Sequence, residues 1–324
     1  MSVRAILQLM SDGEFHSGEA LGELLGVSRT AVWKHLQKLE AYGIPLESVK
    51  GRGYCVPGGL QLLDAAQIQG ALAPAANSCL RELDIHESVD STNALAMARA
   101  STGAAGGYVC LAEHQSRGRG RRGRPWVSPF AQSVYLSVVA EFSGGAAALE
   151  GLSLAVGVAL VRALNTLGAE QVLLKWPNDL VCGDRKLAGI LLEMAGDPAG
   201  QCQVVVGVGL NMALSSAGAE AIDQPWVDLQ QLVPGVSRNA LVAELLNQLL
   251  PLLAEFESKG FGAYREEWER SHAYADKPVR LVIGNTEVAG IALGVAANGA
   301  LRLLVGGEEQ EFHGGEISLR PAGG

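Results

Sequence analysis

The first sixty residues place apolar side chains three and four positions apart, a spacing that predicts amphipathic helices. Ser17 can cap the second predicted helix, which Gly26 ends, and Ser28 can cap a third. The buried face of the third helix is predicted to consist of Val32, Leu36 and Leu39. Two helices around a tight glycine turn form a helix-turn-helix. Short apolar arms around residues 51–53 (Gly-Arg-Gly) add a hairpin, which completes the pattern of a winged helix-turn-helix.

The middle of the chain alternates apolar strand-like runs with helical segments. The helix is clearest at residues 151–167, where nearly every position is apolar or small. Strands are predicted at residues 83–87, 108–112, 133–139, 172–175, 187–193 and 203–212.

The last part of the chain contains short runs of alternating polarity separated by turn residues. The predicted strands are residues 278–283, 286–295, 301–305 and 311–313. Gly284-Asn285 and Asn298-Gly299 are typical of hairpin turns. Such a set of strands predicts a small β-barrel.

Composition narrows the class of protein. The 324 residues suffice for two or three domains, and the net charge of −9 restricts nucleic-acid binding to a local patch. Five scattered cysteines without metal-ligand spacing fit free thiols in a reducing cytoplasm. No signal peptide opens the sequence, and no apolar run approaches the ~20 residues of a membrane helix. We therefore expect a cytoplasmic protein without a membrane partner.

The predicted third helix and wing carry side chains of the types that reach bases and phosphates in DNA. They are Ser28, Arg29, Thr30, Trp33, Lys34, Lys38, Lys50 and Arg52. Acidic and basic residues balance over residues 1–60, at six each, so a packing module with a solvated basic face is the alternative. The basic side chains nevertheless fall where a winged helix needs them, which favours DNA binding.

A loop rich in glycine and arginine separates two strand-like runs. From Glu113 to Arg124, five arginines alternate with three glycines, and no acidic residue follows Glu113 until Glu141. Glycine lets backbone N–H groups approach a ligand, and guanidinium groups match carboxylate and phosphate oxygens. Disordered RNA-binding tails share this composition. Because this segment is short and lies between strands, an ordered loop that binds an anion is favoured.

Further polar residues stand where apolar strands end. A run of three begins a helix: Ser91, Thr92 and Asn93. One of them can be a plain N-cap, and three together can also bind a polar ligand group. Pro177 fixes the turn within residues 175–179 (Lys-Trp-Pro-Asn-Asp). Asp179 is a suitable residue to bind magnesium or to lie on the phosphate side of a ligand. A lysine beside a turn is usually solvated, but Lys186 opens a very apolar strand, which allows its side chain to point into the sheet.

Together these motifs resemble those of biotin protein ligases of the type that is also the biotin operon repressor. The matching stretches are Asp-Ser-Thr-Asn (90–93), Gln115 with Gly-Arg-Gly-Arg-Arg-Gly-Arg (118–124), Lys-Trp-Pro-Asn-Asp (175–179), Lys-Leu-Ala-Gly-Ile-Leu (186–191), Gly-Leu-Asn-Met (209–212) and Gly-Gly-Glu-Ile-Ser-Leu-Arg (314–320). With the helix-turn-helix, the resemblance covers the whole chain. It implies an α+β multidomain fold: a winged helix-turn-helix (1–62), a central mixed β-sheet with helices of the biotin/lipoate ligase type (63–272) and a small SH3-like β-barrel (273–324).

The resemblance also implies residue roles. The site for biotin and biotinyl-5′-AMP would be lined by Ser91, Thr92, Asn93, Gln115, Arg119, Gly120, Arg121, Asn178, Lys186, Asn211 and Trp226. The catalytic residues would be Arg119, Arg121, Asp179 and Lys186. Asp179 would also serve Mg²⁺ and the nucleotide. Residues 212–226 resemble the segment that closes over the adenylate, and His114 receives no role.

The implied activity is a two-step transfer of biotin. The biotin carboxylate would attack the α-phosphate of ATP, giving biotinyl-5′-AMP and pyrophosphate. A lysine of the biotin carboxyl carrier protein of acetyl-CoA carboxylase would then displace AMP. Operator DNA and a ligand-promoted homodimer are the other partners that the resemblance implies.

Three alternative functions remain open from the sequence. A lipoate ligase shares the fold and the adenylate chemistry, but the complete glycine/arginine string favours biotin. A repressor that only senses its ligand would need neither Asp179 nor Lys186, yet the sequence contains both. An RNA-binding protein without enzymatic activity would use the arginines and leave residues 175–179 unexplained.

Overall fold

A computed structural model gives the fold and describes residues 3–102, 106–197, 199–284, 286–314 and 317–321. The N-terminal unit consists of α1 (Val3–Leu9), α2 (Gly18–Leu25), α3 (Arg29–Ala41) and the hairpin β1 (Glu47–Val49) and β2 (Gly53–Cys55). The Ser17 hydroxyl accepts from the N–H of Ala20, and Gly26 ends α2 at φ 65°. Ser28 caps α3 in the same way. The predicted winged helix-turn-helix is confirmed.

The small core of this unit contains the predicted apolar face of α3 and extends into the central unit. Val32, Leu36 and Leu39 are buried there together with Phe130. The Tyr42 ring stacks on Phe130 at a centroid distance of 5.3 Å and lies 5.5 Å from the ring of His114. The N-terminal unit therefore packs against His114 in the glycine/arginine loop and against Phe130 beyond it.

A mixed seven-stranded sheet forms the centre of the protein. Its strands are β3 (Glu82–His86), β4 (Tyr108–Ala112), β5 (Ser133–Phe142), β6 (Leu173–Lys175), β7 (Asp179–Cys182), β8 (Arg185–Gly196) and β9 (Cys202–Asn211). They lie in the order β3-β4-β5-β9-β8-β7-β6, and the β3–β4 pair alone is parallel among the described strands. The strands β5 and β8 each extend three residues beyond their predicted C-terminal ends, residues 139 and 193.

Helices cover both faces of this sheet. They are α4 (Ala65–Gly70), α5 (Pro74–Cys79), α6 (Thr92–Ser101), α7 (Leu152–Thr166), α8 (Ser216–Ala219), α9 (Leu229–Leu232), α10 (Arg238–Lys259) and α11 (Arg265–Arg270). Alternate residues of β4 separate the two faces. Val109 and Leu111 pack in the large core with α7 and α10, and Cys110 packs in a smaller core with α6.

The helical stretch Gly145–Thr166 is long and apolar enough to cross a membrane by length and composition. This corrects the expectation that no apolar run approaches that length. In the structure, 61% of its most apolar window is buried inside the protein, as in the core helix of a globular domain.

Five antiparallel strands make the predicted small C-terminal β-unit: β10 (Pro278–Ile283), β11 (Thr286–Val295), β12 (Leu301–Val305), β13 (Glu308–Phe312) and β14 (Ile317–Pro321). Hydrogen bonds join them in the order β13-β12-β11-β10-β14. Sequence alone missed β14, which pairs with the distant β10. It also predicted a strand at residues 311–313, whereas β13 starts three residues earlier. The predicted turn residue Asn285 lies outside the described residues. Trp176 fixes this unit to the sheet by donating its indole N–H to Gly299 O at 3.1 Å.

Candidate active site

A cavity of about 450 Å³ brings together all twelve residues predicted to bind ligand or metal. They are Ser91, Thr92, Asn93, Gln115, Arg119, Gly120, Arg121, Asn178, Asp179, Lys186, Asn211 and Trp226. Their location agrees with the prediction, and their individual roles stay predictions. The elements that supply them are far apart in sequence and meet at the ends of β8 and β9.

The side chain of Gln115 is held by the N-terminus of α6. Its Oε1 accepts from the Thr92 backbone N–H (2.8 Å) and from the Thr92 hydroxyl (3.1 Å). Its Nε2 donates to the Ser128 hydroxyl at 3.1 Å. Ser91 occupies the N-cap position of α6 without a side-chain cap bond. The helix N-cap role considered from sequence therefore falls to the Gln115 amide.

Asn93 is buried and oriented by three elements. Its Nδ2 donates to Glu193 Oε2 at 2.8 Å, and its Oδ1 lies 2.6 Å from the Ser137 hydroxyl. Gly207 makes room for it, because a Cβ there would lie 2.1 Å from Asn93 Oδ1. Ser137 and Glu193 thus orient a residue of the site, although no local sequence motif marks them.

Two loop arginines have partners across the cavity. Arg119 Nη2 lies 3.2 Å from Glu193 Oε1, and Arg121 Nη1 donates to Asn178 Oδ1 at 2.9 Å. Burial lowers the pKa of Arg121 from its usual value, although the nearby Asp179 opposes the shift. The Arg121 guanidinium nevertheless stays charged near neutral pH. Both arginines therefore have partners within the protein itself.

Lys186 and Asp179 form an ion pair inside the cavity. Nζ and Oδ1 are 2.7 Å apart, and each side chain is 18% exposed. The lysine therefore points into the sheet region, as its apolar strand suggested. A second lysine, Lys175, also lines the cavity, and burial lowers its pKa. Lys175 belongs to the Lys-Trp-Pro-Asn-Asp stretch, but the sequence motif predicts no role for it.

Trp126 forms a wall of the cavity and was also missed as a site residue. Its ring lies over two glycines of adjacent strands: a Cβ on Gly209 would be 2.5 Å from it and one on Gly189 3.3 Å. Gly189 and Gly209 are direct cross-strand partners. Lys186 Nζ lies 5.5 Å from the ring centroid, within reach of a cation–π contact. The position of Trp126 directly after the arginine loop was the available sequence signal.

The closing segment, residues 212–226, forms another part of the wall. Ile222, Asp223 and Gln224 line the cavity beside Trp226. The far end of the segment is fixed by backbone bonds around Lys186, whose N–H donates to Pro225 O at 2.9 Å. Asn211 Nδ2 donates to Lys186 O (3.3 Å) and to Val227 O (3.1 Å).

The cavity suits a phosphate-bound Mg²⁺ better than an independent metal centre. Among the described residues, no group of three or more His, Cys, Asp or Glu could hold a metal ion. Asp179 and Asp223 line the cavity, together with Arg320 of the C-terminal unit. Mg²⁺ commonly binds through one or two carboxylates and the phosphates of its substrate. Asp179 fits that role if its carboxylate gives up the ion pair with Lys186 and binds the Mg²⁺ ion instead.

The predicted DNA-binding face is open to solvent. All eight of its side chains are exposed, and Trp33 is exposed by 49% although it is large and apolar. In the wing, the Arg52 guanidinium lies 4.0 Å from the centroid of the Phe15 ring. The Ser28 hydroxyl is already used as the cap of α3. The face can thus meet a DNA backbone without rearrangement of the N-terminal unit.

Known proteins resemble this chain over its whole length. Residues 85–211 match the Biotin/lipoate A/B protein ligase family, residues 3–55 an HTH domain and residues 275–320 the Biotin protein ligase C terminal domain. The bifunctional ligase/repressor BirA of Salmonella typhimurium is 43% identical and that of Escherichia coli 42%, each over 98% of this chain and 97% of the relative.

A solved structure supports the same conclusion. The biotin protein ligase from Aquifex aeolicus in complex with biotin and ATP has a TM-score of 0.64 and 25% identity to this chain, covering 75% of it and all of the other protein. The predicted fold class is confirmed by the matched families and by this likeness. This chain therefore belongs to the family of bifunctional biotin ligases and repressors.

Proposed function

We propose that this chain is an ATP-dependent biotin protein ligase and a biotin-responsive transcriptional repressor. The observation that carries the ligase function is the single cavity in which the Lys186–Asp179 pair, the arginine loop and the polar start of α6 meet. The exposed winged helix carries the repressor function. The division into residues 1–62, 63–272 and 273–324 and a cytoplasmic location belong to the same proposal.

In the first step, a carboxylate oxygen of biotin attacks the α-phosphorus of ATP, and the bond to pyrophosphate breaks. Both reactants are anionic, so cationic side chains must hold them together. Lys186, Arg119 and Arg121 line the cavity and supply these charges. When bound, Mg²⁺ would neutralise phosphate charge, with Asp179 as its protein ligand.

In the second step, the ε-amine of a lysine attacks the carbonyl carbon of biotinyl-5′-AMP, and AMP leaves. The proposed acceptor is the biotin carboxyl carrier protein of acetyl-CoA carboxylase. Acetyl-CoA carboxylase is named in a Paracoccus denitrificans relative, biotin--[acetyl-CoA-carboxylase] ligase. No side chain of this chain becomes covalently attached. The protein positions the reactants and protects the anhydride from water.

The test is direct. The purified protein is mixed with ATP, Mg²⁺ and either biotin or lipoate, and the acyl adenylate and a labelled carrier domain are measured. We expect both products with biotin. Products with lipoate alone would reassign the substrate, and the absence of adenylate with both acids would overturn the ligase function.

The repressor function requires a homodimer. A single winged helix with five basic side chains makes few phosphate contacts, and the net charge of −9 opposes DNA binding. Two copies related by a two-fold axis double the contacts and read an inverted repeat. Adenylate binding would favour the dimer by ordering the arginine loop and the closing segment, which links the two equilibria.

A further inference from the structure

Gln132 lies directly before β5 and contacts the start of the closing segment. Its backbone oxygen accepts from the N–H groups of Met212 (3.2 Å) and Ala213 (2.9 Å). Its side-chain Oε1 accepts from the N–H of Ser215 at 2.8 Å. Three hydrogen bonds therefore tie this one residue to the start of the closing segment.

The closing segment is shaped to meet the Gln132 carboxamide. The Ser215 hydroxyl caps α8 by accepting from the N–H of Gly218 at 3.0 Å. A Cβ on Gly218 would lie only 2.5 Å from Gln132 Oε1. Glycine at this position therefore permits the close approach of α8 to the carboxamide. Beyond α8, the chain continues directly into Ile222 and Gln224, which line the cavity.

A second anchor holds only the base of the segment. Asp228 is buried, and its Oδ2 accepts from the N–H of Leu214 at 3.0 Å while its Oδ1 caps α9. These bonds fix where the segment starts and ends. The Gln132 side chain contacts the segment further along, at the first turn of α8, where it can control the position of the part that lines the cavity.

We infer that Gln132 is a positioning residue that latches residues 212–226 against the cavity and so retains the acyl adenylate between the two steps. This rests on the proposed ligase function. The adenylate is a mixed anhydride that hydrolyses in water, so every opening of the segment before transfer wastes one ATP. The side-chain oxygen of Gln132 makes the bond that a substitution removes, whereas its two backbone bonds remain after most substitutions.

Four proteins test the inference: the unmodified chain, Gln132→Leu, Gln132→Glu and Gly218→Ala. Leucine removes the acceptor, glutamate keeps an acceptor oxygen on a side chain of the same length, and the alanine methyl displaces the carboxamide. Each protein is loaded with biotin and ATP labelled at the α-phosphate, then chased with unlabelled substrates. The rate of adenylate loss and the ATP consumed per biotin transferred to a carrier domain are measured.

Loss of the acceptor should release adenylate roughly two- to ten-fold faster, the range expected for one neutral hydrogen bond. Gln132→Leu and Gly218→Ala should show this and consume more ATP per transfer, while Gln132→Glu retains adenylate like the unmodified chain. Retention unchanged in Gln132→Leu would overturn the inference. So would equally fast loss in Gln132→Glu, because shape rather than the acceptor would then matter. No adenylate from the unmodified chain would overturn the ligase function and the inference with it.

Discussion

Arg238 and Glu113 form an ion pair in the interior, with Nη1 and Oε2 2.6 Å apart and each side chain only 1% exposed. The other carboxylate oxygen accepts from the N–H of Leu63 at 2.7 Å. The guanidinium also donates to Gln61 O (2.6 Å) and Ser133 O (2.9 Å). The pair thus joins the connection that follows the wing to the start of α10, to the start of the glycine/arginine loop and to the start of β5.

Replacing Arg238 by methionine should destabilise the protein by about 3–5 kcal/mol, because it leaves a buried carboxylate without its partner. Urea unfolding measures the loss. The matched control is Lys259→Met, which breaks the exposed pair with Glu255 on the same helix and should cause no measurable change. A similar, small effect of both substitutions would show that the buried pair does not hold the units together.

Lys186→Ala should weaken biotin binding and slow adenylate formation roughly ten- to a hundred-fold, since a charge-assisted hydrogen bond contributes about 1.5–3 kcal/mol. Calorimetry with biotin and a pyrophosphate-release assay measure the two effects. The fold should remain, because the Lys186 backbone bonds to Pro225 and Val227 do not need the side chain. Unchanged affinity together with normal turnover would mean that Lys186 only serves the Asp179 carboxylate.

Biotin with ATP should slow amide hydrogen exchange in residues 115–126 and 212–226. Arg119 and Arg121 have partners within the protein, so the backbone around the exposed Arg122 should change most. Arg122 holds a left-handed conformation at φ 59°, which a non-glycine residue adopts at some cost. Equal exchange with and without ligand would indicate a rigid, preformed site.

Operator affinity and dimerisation should increase together. Sedimentation and DNA titration, each without ligand, with biotin and with biotin plus ATP, should show the largest increase in the third condition. Lys34→Ala should lower the affinity for DNA and reduce the salt dependence by about one counterion, because it removes one phosphate contact. Tight DNA binding by a ligand-free monomer would contradict the linkage.

Stability should decrease in mild acid because of His272. Burial lowers its pKa to about 4, and neither ring nitrogen has a hydrogen-bond partner among the described residues. In the unfolded chain the His272 imidazole binds a proton near pH 6.5, whereas in the folded protein it stays neutral down to about pH 4. The stability that His272 provides is therefore complete above pH ~6.5 and decreases as the pH falls towards 4. The slope should reach about 1.4 kcal/mol per pH unit.

Substitution of His272 by phenylalanine provides the comparison for this effect. The new ring can keep the contact with Trp268, whose centroid lies 4.7 Å from that of His272. Urea unfolding at pH 7 and pH 5 should then give a flatter dependence than in the unmodified chain. The same slope in both proteins would show that other groups control the response to acid.

The sequence by itself determined the winged helix-turn-helix, most strands and the types of residue at the candidate site, because these depend on neighbours within a few positions. The caps at Ser17 and Ser28, the glycine turn at Gly26 and the wing follow from local backbone rules. The twelve predicted site residues also line one cavity.

Only the tertiary structure decided which of these residues touch one another. Glu193 meets Arg119 across 74 positions of sequence, Ser215 meets Gln132 across 83, and Glu113 meets Arg238 across 125. Such contacts depend on the strand order β5-β9-β8 and on the path of the closing segment. Hydrophobic periodicity reports which face of an element is buried, but it contains no information about which distant polar group will stand opposite.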